Sequence, residues 1–403
     1  MGHAHDAPAA ANPSKPARRV LTAVAVLVAG MTGLGMVLLW PHTDPRARAA
    51  RLGLPSRVDA ATVTRVRHGP CSGTLPGQGA TCEQIRFRLT QGPQRGQTRD
   101  QEFPRAPSTP TFTVGDRVVL AFNPKADPGF DYQFADRQRR SSLLWLAGLF
   151  AIAVIALGRW RGAAALVGLG ASIAVLLVFI LPALLDGESP VLVAIVGSAT
   201  IAYAALYLAN GTRTMTTVAL LGTLATLALV VGLAELFTSA AHLSGFATEE
   251  AILVRIGTGG IDLRGLVLGG MVLGSLGALN DVTVTQASAV WEVRAADPRM
   301  SRARLFRSGL RVGRDHVGST VNTLALAYAG AALPILILFV LSRQSLGTVA
   351  NSEIVATEII RTLVGSVGLV AAVPLTTWLA ARTAAAPESG IEATGSGDRP
   401  GQV

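Results

Sequence analysis

Asp281, Thr285, Ser288 and Glu292 recur at i, i+4, i+7 and i+11, so a helix through them carries one polar stripe. Asn280, Thr283 and Gln286 add donors and acceptors beside it. An apolar run leads into this stretch, and polar groups within a bilayer are costly and tend to face an ion or substrate path. The stripe reads as a hydrophilic route from mid-membrane towards the cytoplasm. The alternative is a helix end that has already left the bilayer.

A second group is Asp315-His316, followed by Ser319, Thr320, Asn322 and Thr323. On a helix Asp315, Ser319 and Asn322 share one face and His316, Thr320 and Thr323 another. Imidazole titrates near neutral pH, so a proton relay or ion site is one reading; a helix cap at the membrane interface is the other. Glu235, Ser239 and His242, at i, i+4 and i+7, could bind a cation or exchange a proton, or could meet water at the end of a span. The ligands are too few for a metal centre. Glu358 and Arg361, at i and i+3, read as an intrahelical ion pair that neutralises both charges.

Enzyme signatures are missing from the sequence. It contains no P-loop, nucleotide-binding glycine fingerprint, zincin pattern or nucleophile elbow. Gly257-Thr258-Gly259-Gly260 is glycine-rich without a phosphate-binding context and reads as a flexible or re-entrant turn. His3 and His5 belong to a polar tail rather than a metal site. The expectation is a non-enzyme without cofactor or metal.

The elements that must position these groups are mostly membrane spans. Half of the 403 residues are hydrophobic and 15% are charged, against about a quarter charged in soluble domains. Net charge is +10, but the arginines lie in loops between apolar blocks, where they orient spans rather than bind nucleic acid. Val20 to Trp40, preceded by Lys15, Arg18 and Arg19, reads as an uncleaved anchor. A cleaved leader ending near Ala47-Arg48-Ala49 is the alternative, although its apolar core would be long for one. From Ser141 the blocks are Ser141–Leu157, Gly162–Leu184, Pro190–Ala209, Met215–Phe237, Ile261–Val284, Val321–Leu341 and Ile354–Ala380. Each is long enough to cross about 30 Å as helix, the first only just. Pro182, Pro334 and Pro374 should kink their helices, and Gly269, Gly270, Gly274, Gly277, Gly365 and Gly368 should allow close packing.

Between anchor and bundle, residues 41–140 change character. Ala61–Val66, Gln84–Leu89, Thr111–Val114 and Arg117–Phe122 read as strands between Gly/Pro/Asn/Asp turns, giving a small barrel of OB or SH3 type. Cys71 and Cys82, the two cysteines, fall here; outside the cytoplasm they would form a disulfide, and otherwise remain inert thiols.

Charge sets the orientation. Arg159 and Arg161, then Arg213, then seven arginines from Arg294 to Arg314 fall in loops assigned to the cytoplasm. Asp186, Glu188, Glu249, Glu250 and Glu353 fall outside, with Arg255, Arg264, Arg343 and Arg361 as exceptions. Within the long basic loop, Arg302 to Arg314 is amphipathic. Leu305, Phe306, Leu310 and Val312 offer an apolar side suited to the inner leaflet and its anionic headgroups.

Three blocks are specific: Gly277 to Glu292 (GALNDVTVTQASAVWE), Val312 to Thr323 (VGRDHVGSTVNT) and His242 to Phe246 (HLSGF). Together they resemble the YibE/F-like family over roughly Ser141 to Arg382. The resemblance implies a bacterial multi-pass membrane protein and assigns it no activity.

The resulting expectation is a polytopic α-helical membrane protein with about eight transmembrane helices and a small extracytoplasmic β-rich OB/SH3-like barrel domain. Residues 1–19 are a disordered tail, 20–40 the anchor, 41–140 the β domain, 141–382 a seven-helix bundle and 383–403 a second tail. It sits in the plasma membrane with both termini cytoplasmic, among lipids and an unknown small solute or ion, without nucleic acid; homo-oligomerisation is left open. A permease or ion-coupled transporter leads, with Asn280, Asp281, Thr285, Gln286, Asp315, His316, Asn322, Glu235 and His242 along the polar path. The competing reading is an anchored binding module whose β domain recognises an envelope ligand or partner. An intramembrane enzyme comes third.

Overall fold

The computed structural model describes residues 15–42, 55, 57–71, 81–107, 109–124, 126, 130–258 and 260–384. The tails before Lys15 and after Ala384, with His3 and His5, and the Ala47-Arg48-Ala49 junction lie outside the described residues. The chain divides into two units, residues 42–159 and residues 1–41 with 160–403.

The first unit is built on alternation. In β1 (Arg57–Pro70) and β2 (Thr81–Leu89), Ala61, Val63, Ile85, Phe87 and Leu89 point inward. Val118 and Leu120 of β4 (Arg117–Phe122) and Tyr132 of β5 (Tyr132–Arg137) complete that face. With β3 (Thr98–Pro104) they form a five-stranded antiparallel half-barrel of order β3-β2-β1-β4-β5. Phe87, Phe103, Phe112 and Phe134 pack mutually, with ring centroids 4.9 to 6.5 Å apart. The edge strands β3 and β5 are joined by side chains. Gln101 donates to Tyr132 O at 2.7 Å and accepts from Phe134 N at 3.0 Å, taking the place of one ladder rung, and Arg99 pairs with Asp131 at 3.0 Å. Cys71 and Cys82 are disulfide-bonded.

Two strand expectations change. Thr111–Val114 is not a strand: Thr113 N and Oγ1 both donate to the Asp116 carboxylate, which turns the chain into the Val114-Gly115 corner. Conversely, β3 and β5 escaped notice because each shows water one polar side. The same unit continues into α2 (Arg140–Val175), whose helical backbone breaks at Arg159 (φ 50°, ψ −129°).

The second unit is helical. It holds α1 (Lys15–Leu38), the α2 residues after Arg159, a π-turn at Leu176–Ile180, α3 (Leu181–Leu185), α4 (Pro190–Asn210), α5 (Thr214–Ala240), α6 (Glu249–Thr258) and α7 (Leu263–Ala296). Then follow α8 (Arg302–Ala331), α9 (Leu333–Leu341), α10 (Leu346–Asn351) and α11 (Glu353–Thr383). Among the described residues six helical runs are long and apolar enough to cross a membrane, or seven if α8 and α9, bent by 63°, form one broken span. The 46-residue run Arg140–Leu185 counts once there, although a single span needs only about 20 residues. The sequence had divided this run in two, close to the break at Arg159.

The prolines behave differently from one another. Pro182 follows the π-turn, a wider ring that absorbs its missing donor; Pro334 starts α9 at the 63° bend; Pro374 lies inside a continuous α11. The core sits where α5, α7 and α11 meet, around Leu227, Val230, Met271, Leu279, Leu369 and Ala372. Gly368 permits that approach, because a Cβ there would stand 2.5 Å from Val230. Gly277, grouped with it from the sequence, faces open space instead.

Candidate functional site

The site forms in the hairpin of α7 and α8. Asp297-Pro298 ends α7, as its turn chemistry dictates, and Ser301 caps α8 by accepting from Arg304 N at 3.4 Å. Arg294, expected to be a loop charge, is 3% exposed. It ties the turn by donating to Pro298 O at 3.2 Å and Met300 O at 2.6 Å. From this turn two helical arms run back side by side, α7 ending at Ala296 and α8 starting at Arg302. Asp281 and His316 are nearly equidistant from it, so the two polar groups, far apart in sequence, reach the same depth.

Close packing fixes the arms. Gln286 donates to Gly309 O at 2.8 Å and Thr377 Oγ1 at 2.7 Å, linking α7, α8 and α11. A Cβ at Gly313 would stand 2.5 Å from Gln286 Oε1 and 2.4 Å from Val373, so glycine is the residue that lets α8 come this near. The outcome is a cavity of about 180 Å³ lined by Asp281, Thr285, Gln286, His316 and Thr320, with Val282, Ala289, Val312, Val317 and Val373 as apolar wall. The side chains of Asp281 and His316 have no hydrogen-bond or ion-pair partner among the described residues. A carboxylate and an imidazole lining one cavity between two helices suit ion or proton chemistry.

Other expected residues fall elsewhere. Asn280 is half-buried off the cavity, with Oδ1 buried and unpartnered. Asp315 and Asn322 are exposed and do not line it. Neither Asp315 nor His316 caps a helix, since both lie well inside α8 and Ser301 takes that role. The stripe contributes only Asp281 and Thr285; Glu292 is exposed. Glu235 pairs with Arg264 rather than His242, and Arg264 also donates to Ser239 Oγ at 2.6 Å. His242 sits in a turn at φ 51°. Glu358 and Arg361 form the expected i, i+3 pair at 2.7 Å, with Tyr328 5.9 Å from the guanidinium. On the basic helix Leu305 is fully buried and Phe306 and Leu310 pack into the bundle, while Val312 and the five arginines stay exposed.

Two features had no signal strong enough in the sequence. Glu353 accepts from Ser244 N at 2.7 Å, Gly245 N at 2.6 Å and Ser244 Oγ, so the HLSGF segment is a clamp on α11. In the β unit, a groove of about 740 Å³ is lined by Arg65, Arg67, Arg86, Gln84, Gln101, Phe130 and Phe134 among others. Among the described residues no group of three or more His, Cys, Asp or Glu could hold a metal ion.

A sequence profile of YibE/F-like proteins matches residues 146–386, more than half of the chain. The chain belongs to the YibE/F-like family. The matched region contains the whole Asp281–His316 cavity and the Glu353 clamp and leaves the five strands of the β unit outside. No curated relative and no solved structure matches this YibE/F-like chain.

Proposed function

We propose that this YibE/F-like chain is a multi-pass plasma-membrane permease or ion-coupled transporter whose polar path passes Asp281 and His316. One observation carries the reading: two unpartnered titratable side chains, from two different long helices, line one cavity. Ionisable side chains that face a cavity between membrane helices mark candidate ion or solute paths. In this reading α2 makes two passes separated at Arg159, which brings the spans to eight, both termini are cytoplasmic, and the β unit is extracytoplasmic. The side-chain closure between β3 and β5 favours a barrel of OB or SH3 type. The activity is non-enzymatic.

The test is flux across proteoliposomes loaded with a panel of monovalent ions, protons and small zwitterions. At least one flux should exceed that of empty liposomes and fall about tenfold or more in Asp281→Asn and in His316→Ala. A flux untouched by both substitutions would remove the path from this cavity.

The β groove favours a second reading, in which the protein is an anchored receptor for an acidic envelope polymer. Arg65 and Arg67 make no salt bridge among the described residues, and Phe130 is 71% exposed. Retention of the full chain on immobilised alginate, lost in the Arg65→Ala/Arg67→Ala double variant, would favour this reading over the first.

A further inference from the structure

The polar atoms of the Asp281–His316 cavity are nearly all of one kind. Gln286 is 4% exposed, and both of its amide hydrogens are spent on Gly309 O and Thr377 Oγ1. That fixes the flip of the amide and leaves Oε1, which accepts no hydrogen bond among the described residues, beside Gly313, itself a lining residue of the cavity. Thr285 Oγ1 gives its proton to Asp281 O at 2.8 Å, and Thr320 Oγ1 gives its proton to His316 O at 3.0 Å. A hydroxyl whose hydrogen is returned to its own helix offers only lone pairs to anything beside it. With the Asp281 carboxylate, four side chains present acceptor oxygens to the space, and neither Lys nor Arg lines it.

This composition selects among ligands. An anion would meet lone pairs and a carboxylate. A neutral polar solute needs donors as well as acceptors, and the ring of His316 is the sole lining side chain able to give one. A hard cation is satisfied by carboxylate, amide and hydroxyl oxygens together. One carboxylate balances one positive charge, whereas a divalent ion is ordinarily held by more than one carboxylate and the cavity offers Asp281 alone. The volume of about 180 Å³ is well above the ~10–15 Å³ of such space that one water needs, so a cation would keep part of its hydration shell.

We propose that this cavity is a binding site for a partly hydrated monovalent alkali cation, held by Asp281, Gln286 Oε1, Thr285 and Thr320. The inference rests on the permease reading for its role as cargo or coupling ion; the binding chemistry stands separately.

The experiment is 23Na NMR of the full chain in nanodiscs of zwitterionic lipid, titrating sodium against choline chloride at constant ionic strength. Saturable line broadening is expected, with the apparent Kd raised at least tenfold in Asp281→Asn and about three- to tenfold in Thr320→Val. Asp281 and Thr285 are exposed to the cavity, so Thr285→Val serves as a second variant whose elution profile must match the parent. Absence of saturable broadening in the monodisperse parent protein overturns the proposal. So does an unchanged Kd in Asp281→Asn, or proton uptake between pH 8 and pH 6 without any sodium dependence. Sodium binding without flux in proteoliposomes supports the site and removes the permease reading. Flux abolished by Asp281→Asn without sodium binding does the reverse.

Discussion

The side-chain amide of Gln286 donates to the hydroxyl of Thr377 at 2.7 Å, joining α7 to α11 across 91 residues of sequence. Thr377 in turn sends its own proton to Val373 O at 2.6 Å, so it can only accept from Gln286. Both residues are buried. Thr377→Val keeps the shape and strands one amide hydrogen in an apolar interface, at a cost of about 1–3 kcal/mol. Thermal unfolding in detergent should shift down for Thr377→Val and stay near the parent for Thr377→Ser. Equal melting of the two variants would mean that the bond carries no weight.

Ser244 and Glu353 make the second joint. Gly245, at φ 79°, has no room for a side chain, because a Cβ would stand 2.6 Å from the Leu263 backbone. Gly245→Ala therefore meets both strain and a clash with backbone that has no rotamer to offer. Glu353→Gln keeps volume and loses the charge that two N–H groups share. Limited proteolysis between α5 and α7 should be faster in both variants, more so in Gly245→Ala. Unchanged cleavage in Gly245→Ala would contradict the clamp.

Glu358 and Arg361 test the opposite kind of change. The pair is half-buried, and Arg361 Nε already lacks a hydrogen-bond partner. Removing Glu358 alone leaves a cation in an apolar wall, whereas replacing both by apolar residues removes the problem together with the bond. Glu358→Leu should lower the melting temperature in detergent by more than Glu358→Leu/Arg361→Leu. A double variant that is less stable than the single one would show the pair to be net stabilising.

Much of the bundle was legible because a bilayer span announces itself as an apolar run of about 20 residues. α4 and α5 match their expected blocks within a few residues. The hairpin of α7 and α8 was harder. α7 continues to Ala296 and α8 begins at Arg302, well beyond the apolar cores of either, since Arg294, Leu305, Gly309 and Gly313 pack between the helices while the charged residues around them stay exposed. Gly309 and Gly313 were the hidden signal: two small residues four apart in a basic helix mark a face that touches another helix. Asp281 and His316 could have been paired by counting from the Asp297-Pro298 break. In the β unit, β4 was read to the residue, while β3, with the sequence TRDQEFP, carries its strand through pairs such as Arg86–Asp100 that no single segment reveals. The Glu353 clamp depends on backbone N–H groups, which have no letter in the sequence.

The Cys71–Cys82 disulfide closes a short loop between β1 and β2. Loop-closure entropy for this size is worth about 3 kcal/mol in the chain-entropy account. Reduction, or Cys71→Ser/Cys82→Ser, should destabilise the β unit and leave the helices intact. Trypsin cleavage at Arg65, Arg67, Arg86 and Arg88 should then accelerate while sites in α8 remain unchanged. Equal rates with and without the bond would mean that β1 and β2 are held by their ladder alone.

Acid should act on the β unit through Asp100. Its carboxylate accepts from Arg86 Nε and Nη2, both at 2.7 Å, and this charge-assisted pair holds its pKa below the ordinary aspartate value. A carboxyl with a lower pKa folded than unfolded binds fewer protons in the folded state, so it stabilises folding above its unfolded value of about 3.9. That contribution disappears as pH falls through the lower, folded value. Asp116, lowered chiefly by the hydrogen bond from Thr113 N, adds a second contribution of the same sign. 19F NMR of full-length protein labelled with 4-fluorophenylalanine reads the outcome, because Phe103 and Phe112 pack in this unit with centroids 4.9 Å apart. Their resonances, assigned by substitution, should stay dispersed from pH 7 to about pH 4 and collapse below it. In Asp100→Asn the collapse should be shallower in pH, starting from a less stable parent at neutrality. A transition of identical midpoint and steepness in Asp100→Asn would show that the Arg86 pair is too screened by solvent to matter.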